Sequence, residues 1–455
     1  MGGLSTTLLT SASALEVFNQ ALNTIGNNID NADTPGFAKQ EPSLAAQPFD
    51  PADNLAGGVI AGPLVNSRSE YLEQAVRTQT QLLGSAQQTA TDLGQIQPLF
   101  NLTQTSGIDS SLNNFFNSFS ALSVNPNDTI SRQNVLTAAG QLAQSINGVA
   151  NGIATVSTNV GTQTNNVVAS INQIATQIAG INQSFQSDPG ATQDEGLDAQ
   201  MHTALDNLSQ LTNYTVLKQS DGTYTVLIGG QTPLVMGNQA FAISSSVSSQ
   251  TAILDSAGND ITSQITQGQL GALIQEQNST IPGYMSALNT LASSLADTVN
   301  NQLSQGVDQN GDAPQTDLFT YDQDSDAAST LAVTDMTPDQ IAAASADAPG
   351  GNGNAIAVAN LASAPAVNGY TFTQAYGNLA AQVGSDVSSA QQAQTQYQDQ
   401  LTQAQTQVTS QSGVSLNEEA TNLLQFQQAY DAVGRLVSVL DSLTQTVINM
   451  VEPTT

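Results

Sequence analysis

Both ends of this chain carry the same heptad spacing, and that constrains its fold more than any other feature of the sequence. Near the N-terminus the series runs Leu4, Leu8, Ser11, Leu15, Phe18, Leu22, Ile25, Ile29. Near the C-terminus it runs Phe426, Tyr430, Val433, Val437, Leu440, Thr444, Val447, Val451. Alternating steps of four and three place one apolar seam along a helix, and a helix with one apolar seam must bury it. Two of them at opposite termini predict either a closed molecule with both ends at one pole or a subunit that buries them in its neighbours. That is the plan of a self-assembling structural protein rather than of an enzyme.

Charge narrows the partners. The 455 residues include 37 Asp plus Glu but only six Lys plus Arg, for a formal net charge of −31. A nucleic-acid binder needs basic residues to displace counterions, and an anionic membrane surface would repel this chain. Neither partner is expected. There is no Cys, so packing rather than disulfides has to hold the fold. No stretch approaches the ~20 apolar residues of a membrane span. The first residues lack the basic region and continuous apolar core of a signal peptide. Those signals alone would place the chain in the cytoplasm, although an export route that reads an uncleaved N-terminus leaves no such trace.

The pattern predicts a first helix over about 5–29, ended by the turn-formers Asp30 to Gly36. Residues 40 to 66 are punctuated by Pro and Gly and read as extended chain. Helix returns near Glu70 and runs, with a break at Gly107, to about Val124. The longest helix starts after an N-cap at Asn127 or Asp128 and continues to about Phe185. A further heptad, Val383, Val387, Ala390, Gln394, Tyr397, Leu401, Ala404, Val408, makes 379–410 its expected partner. The middle of the chain has β texture. Tyr214–Leu217 and Thr223–Ile228 flank an Asp221-Gly222 turn, a hairpin signal, and short runs follow at Leu234–Met236, Phe241–Ile243 and Thr251–Leu254. Another helix is expected over 281–303. Pro349 to Asn354 reads as an exposed loop that tolerates shortening.

Catalytic and metal chemistry find little to work with. His202 is the only histidine, in an ordinary helical run, and is expected at a surface or boundary. Asp308-Gln309-Asn310-Gly311-Asp312 resembles the start of a calcium loop, but its glycine comes one place early and its twelfth residue is Phe319. Asp322, Asp324 and Asp326 alternate without the required glycine. Both stretches read as solvated acidic turns, and no catalytic residue, cofactor or metal is expected.

Ile25-Gly26-Asn27-Asn28-Ile29-Asp30-Asn31-Ala32-Asp33-Thr34-Pro35-Gly36-Phe37-Ala38-Lys39-Gln40 resembles the signature of bacterial flagellar rod, hook and hook-associated proteins. Its carriers are Asn28, Asn31, Thr34, Pro35, Gly36, Phe37 and Gln40. Asp30, Asp33, Phe37 and Lys39 depart from the usual Ala, Asn, Tyr and Arg. The C-terminal run Ser412-Gly413-Val414 with paired Glu418-Glu419, leading into Asn422 to Tyr430, is more similar to the FlgK family of hook-associated proteins. Arg68 to Leu72, Leu112 to Ser118 and Arg132 to Leu136 agree with it. The resemblance implies an extracellular junction protein between hook and filament. It also implies type III export without signal cleavage and a cytoplasmic export chaperone on the C-terminal helix. Its implied partners are further copies of itself, the hook protein and the next hook-associated junction protein.

The expected fold is mainly α with a β-rich insert. Residues 1–40 plus 413–455 would form a terminal coiled coil of the inner tube. Residues 41–187 plus 370–412 would form a long-helix bundle, and 188–369 an outward insert. Residues 1–40 carry three acids and one base, whereas 188–350 carry nineteen acids and one base. Near-neutral ends can pack side by side while the acidic middle faces water. The alternatives are another axial protein, hook or distal rod, and a secreted scaffold with an enzymatic insert. The second would need a catalytic cluster that 188–369 lacks.

Overall fold

The computed structural model describes residues 2–50, 55–100, 107–247, 250–323 and 326–451. Its helices, in chain order, are α1 (Gly2–Asp30), α2 (Glu70–Ile96), α3 (Ile108–Val124), α4 (Thr129–Ser187), α5 (Glu195–Leu211), α6 (Gly268–Gln275), α7 (Ile281–Leu303), α8 (Ala327–Thr330), α9 (Gly353–Asn360), α10 (Phe372–Ser412) and α11 (Leu416–Val451). Local chemistry sets their starts. The Asp128 carboxylate accepts the Ser131 N–H at 2.8 Å and caps α4. Asp194 caps α5 in the same way, and Thr371 with Gln374 forms a capping box on α10.

The 59 residues of α4 span about 89 Å at 1.5 Å per residue. Its seam, from Val135 through Ile146, Ile153, Val160 and Ile171 to Ile178, is buried against several shorter elements. One continuous core runs from Leu93 to Val387 and draws on α3, α4, α5, α7 and α10. The span 188–369 therefore supplies helices α5, α6 and α7 to the same core. It also carries a four-stranded antiparallel sheet in the order 214–218, 224–228, 232–236, 239–240. Gly222 closes the first hairpin at φ +85°, a left-handed conformation that favours glycine.

Three expectations are corrected. First, α10 does not pair with α4 but lies along α2. Leu401 packs with Val76 and Leu83, flanked by Tyr397, Ala404 and Val408. The heptad spacing showed that α10 needs a partner and carried no information on which. Second, Phe241–Ile243 is not a strand. Asn172 of α4 bonds both the N–H and the carbonyl of Ile243, at 2.9 and 2.8 Å, and takes the place of a neighbouring strand.

Third, the loop at Pro349–Asn354 is tied down at its C-terminal end. The Asn352 amide donates to the Ser123 carbonyl at 2.6 Å. Asn354 is buried, donates to the Ala342 carbonyl at 2.8 Å, and accepts from Gln302 at 2.9 Å. Composition identified the turn but could not show that two of its asparagines are anchors. Deletion of 349–354 is therefore expected to destabilise the protein. Asn354→Ala alone should cost about 1–3 kcal/mol, because it leaves buried partners unpaired. Urea denaturation checks this, and a deletion variant with an unshifted midpoint would show that the anchors carry no weight.

Between α6 and α7 the helix opens into a π-turn, Glu276–Thr280, which carries Glu276 into the interior beside Asp92. Both are fully buried, and Asp92 already accepts from Gln88 at 2.6 Å and Gln163 at 3.3 Å. Burial, reinforced by the neighbouring Asp92, pushes the Glu276 carboxyl up to about 9. The folded state thus keeps a proton that the unfolded chain releases near 4.5. Stability is fully present below that value and falls as pH rises towards 9. Glu276→Gln should flatten this decline, measured as the urea midpoint against pH. An identical slope in the variant would assign the decline to other groups.

Candidate assembly interface

The terminal helices lie against each other. Phe18 of α1 meets Phe426 of α11 with ring centroids 6.1 Å apart, so the two seams face one another. Along α1, Ser11 and Ile25 are buried, while Leu4, Leu8, Leu15, Phe18, Leu22 and Ile29 are half-buried. Along α11, Leu440 is buried and Phe426, Val433, Val437, Thr444 and Val447 are half-buried. Tyr430 is 38% exposed. The helix ends at Val451, whose side chain lies outside the described residues.

A second apolar stripe on α11 stays open among the described residues. Leu436, Val439 and Leu443 are 45%, 56% and 49% exposed, and Met450 continues the row. Helical periodicity sets this stripe roughly 100° round from the seam. Its three- and four-residue steps are present in the sequence, one place before the seam residues Val437, Leu440 and Thr444.

Below the pair, the signature residues build a polar neck. The Asn28 side chain bonds the Gln40 backbone both ways, donating to its carbonyl and accepting its N–H at 2.9 Å each. It also donates to Glu419 at 3.3 Å. The Lys39 ammonium lies 3.0 Å from Glu418, 3.2 Å from Glu41 and 3.6 Å from the buried Glu419. Burial works to lower Lys39, but hydrogen bonds to Glu418 and Glu41 outweigh it and hold the ammonium above its ordinary range. Backbone bonds from Lys39 N–H to the Ser412 carbonyl, and from Ser67 N–H to the Lys39 carbonyl, tie the neck to the end of α10.

The Thr-Pro-Gly turn is docked rather than free. Asn31 accepts the Thr34 hydroxyl at 3.1 Å, and the Phe37 N–H returns to the Thr34 carbonyl. Thr203 of α5 donates to the Pro35 carbonyl at 3.3 Å. Gly36 adopts φ +75°, and a β-carbon there would collide with the Ala199 carbonyl and the Thr203 hydroxyl. Arg68 fixes the turn from below. It donates to the Gly36 carbonyl at 2.6 Å, to Glu73 at 3.0 Å and to Asp198 at 3.1 Å.

The expected surface position of His202 is corrected here, because the residue is fully buried. Arg77 donates to its Nδ1 at 2.6 Å and to Asp206 at 3.1 Å. Burial first, then the charges of Arg68, Arg77 and Lys218, hold the imidazole neutral. Its remaining proton is therefore on Nε2, 3.6 Å from Asp198. A helical context that looks ordinary gives no hint of Arg77, which reaches the ring from α2.

A signal for the neck was available in the composition. Of the six basic residues, Lys39, Arg68, Arg77 and Arg132 sit at joints. Arg132 donates to the Pro126, Pro338 and Ile341 carbonyls. In a chain this acidic, a rare base is a placed part. The calcium-like loop is self-capped: the Asp308 carboxylate accepts the Asn310 and Asp312 N–H groups at 2.8 and 2.9 Å. Asp324 lies outside the described residues.

Known proteins share this architecture and sequence. The family described as flagellar hook-associated protein FlgK helical domain matches residues 93–319. The flagella basal body rod protein family matches 8–37, and the flagellar basal body rod FlgEFG protein C-terminal family matches 405–450. Flagellar hook-associated protein 1 of Bacillus subtilis is 26% identical, with 97% of each chain covered. Flagellar hook-associated protein 1 of Salmonella typhimurium is 27% identical over 71% of this chain and 62% of its own length. The solved flagellar hook junction protein FlgK from Burkholderia pseudomallei superposes with a TM-score of 0.67 at 17% identity, over 76% of this chain and all of that one.

Proposed function

The chain belongs to the flagellar hook-associated protein 1 (FlgK) family, and we propose that it joins hook to filament by packing its terminal helices into the inner tube of the flagellum. The observation that carries this is α11, which has two apolar stripes and, among the described residues, packs chiefly on α1. The seam residues Leu4 to Ile29 and Phe426 to Val447 are the interface within each subunit, and the second stripe is the interface between subunits. Residues 1–40 plus 413–455 form the tube layer, and the helices held by α4 and α10 form the body around it. The sheet and acidic loops of 188–369 face outward. The rod-type matches at both ends are common ground with other axial proteins, and the match over 93–319 favours the junction over hook or rod.

The role is architectural rather than catalytic. The one histidine is consumed as an acceptor for Arg77 and is closed to solvent. The chain is exported unfolded through the type III apparatus without cleavage, with a cytoplasmic chaperone holding α11 until then. The open stripe on α11 is what such a chaperone would cover. The partners in place are further copies of the chain, the hook protein and the next hook-associated junction protein. A strain lacking the gene should build hooks that carry no filament, and the intact gene should restore filaments. Filaments in the deletion strain would overturn the reading.

Assembly is coupled to ordering. The α1–α11 pair buries only part of its apolar surface, and ordering costs roughly 1–2 kcal/mol per residue in backbone entropy. In dilute monomer this pair should open first. Limited proteolysis should trim both ends and leave a core of about residues 65–410, with amide protection weak at Phe426–Val447 and strong at Val167–Ile181. Equal protection in both regions of a verified monomer would mean that the ends satisfy each other without neighbours.

A further inference from the structure

Residues Gln40–Ala46 and Val59–Asn66 form a long antiparallel ribbon that folds back along α1. At its lower end Asn28 holds Gln40; further up, the Ser13 hydroxyl donates to the Val59 carbonyl at 3.2 Å. By helical periodicity Ser13 lies opposite the seam residues Ser11 and Leu15, and Asn28 lies about 80° round from Ile25 and Ile29. The ribbon and α11 therefore occupy different sides of α1. The ribbon leaves Leu44, Ile60, Leu64 and Val65 exposed at 43%, 43%, 38% and 55%. No charged residue occurs in 42–49 or 59–66.

One subunit thus presents two unmatched apolar surfaces at the same pole, the ribbon on one flank of α1 and the second stripe of α11 on the other. Two different, mutually complementary patches on one chain are what a head-to-tail interface requires, and repetition of that contact generates a ring or a helix. The occupant of the ribbon is a second copy for an electrostatic reason as well. Copies with a formal charge of −31 repel over most of their surface, and the uncharged stretches 42–49 and 59–66 are where they can approach. Edge-to-edge strand pairing is disfavoured, because Pro42 sits in one strand and Pro63 in the other, at a break in register. The contact is made through a face: the register pairs Ala45 with Ile60 and Glu41 with Val65, which sets Ile60 and Val65 on one side of the ribbon and Leu44 and Leu64 on the other.

We propose that the face of the ribbon that carries Ala45, Ile60 and Val65 seats on the Leu436–Val439–Leu443 stripe of a neighbouring copy, which makes the ribbon the second half of the subunit–subunit interface. This rests on the assembly reading above. The absence of Cys from the sequence allows a clean test. Single variants Ile60→Cys, Val65→Cys, Leu436→Cys and Leu443→Cys, and the double variants that join a ribbon site to an α11 site, are produced in the deletion strain. Flagella are isolated and treated with a short thiol cross-linker.

Head-to-tail contact gives a ladder of covalent oligomers from the double variants and no oligomer from the single ones. Ile60→Asp is expected to reduce filament-bearing cells at least tenfold without moving the melting temperature of the monomer. Dimers from single ribbon variants would mean that ribbon meets ribbon. No oligomer from flagella that contain a double variant, together with normal assembly of Ile60→Asp, would mean that the ribbon has no such role. Either result overturns the proposal. Failure of the unaltered gene to restore filaments would instead overturn the assembly reading, so the two are told apart.

Discussion

Val437→Asp and Leu436→Asp will both yield cells whose hooks carry no filament, but only Val437→Asp will also open the α1–α11 pair in the monomer. The two residues are adjacent in sequence and face different partners. Val437 lies half-buried in the seam against α1, so the substitution loses roughly half of the 1.5–3 kcal/mol that full burial is worth and puts a carboxylate in an apolar contact. Leu436 is 45% exposed and lies off the seam, so its replacement should change monomer stability by no more than about 0.5 kcal/mol. Counting filaments by electron microscopy reports assembly, and amide exchange at Phe18 and Leu440 reports the pair. Normal filaments from Leu436→Asp would remove the second stripe from the mechanism, and equal loss of protection in both variants would show that the stripes are not separate.

The next largest effect is expected at the neck. Arg68→Ala should cost about 3–5 kcal/mol, because Glu73 and Asp198 would remain largely buried without their counter-charge. The same change frees the Gly36 carbonyl, and with it the Thr-Pro-Gly turn that sets how α1 leaves the body. The urea midpoint reports the first loss, and protease cleavage between α1 and Lys39 reports the second. Arg68→Lys should recover only part of both, since one ammonium cannot reach three acceptors in the planar geometry of a guanidinium. Full recovery by lysine would show that charge alone, without the fork of hydrogen bonds, holds the neck.

Much of this architecture is written in short-range patterns. The period of the apolar residues located α1, α4, α7, α10 and α11 to within a few residues, because helix register is a local property of spacing. Asp128 marked the start of α4, and Asp221-Gly222 marked a hairpin, because a cap and a turn each depend on a few neighbouring residues. The seam residues were legible for the same reason, and the signature around Thr34-Pro35-Gly36 pointed to the flagellum before any fold was known.

The tertiary structure decided the pairings. Spacing gives a helix an apolar side but no address, so α10 was assigned to α4 when its partner is α2. His202 was expected near the surface, since the arginine that consumes its nitrogen lies 125 residues away in sequence. Asn352 and Asn354 looked like loop composition until the fold brought Ser123, Gln302 and Ala342 to them. Glu276 became a protonated carboxyl only because a π-turn carries it to Asp92. Each of these depends on groups far apart in the chain meeting in a dry interior, where an unpaired polar atom is costly. Local sequence determined which residues needed a partner, and only the packed structure determined which partner each one found.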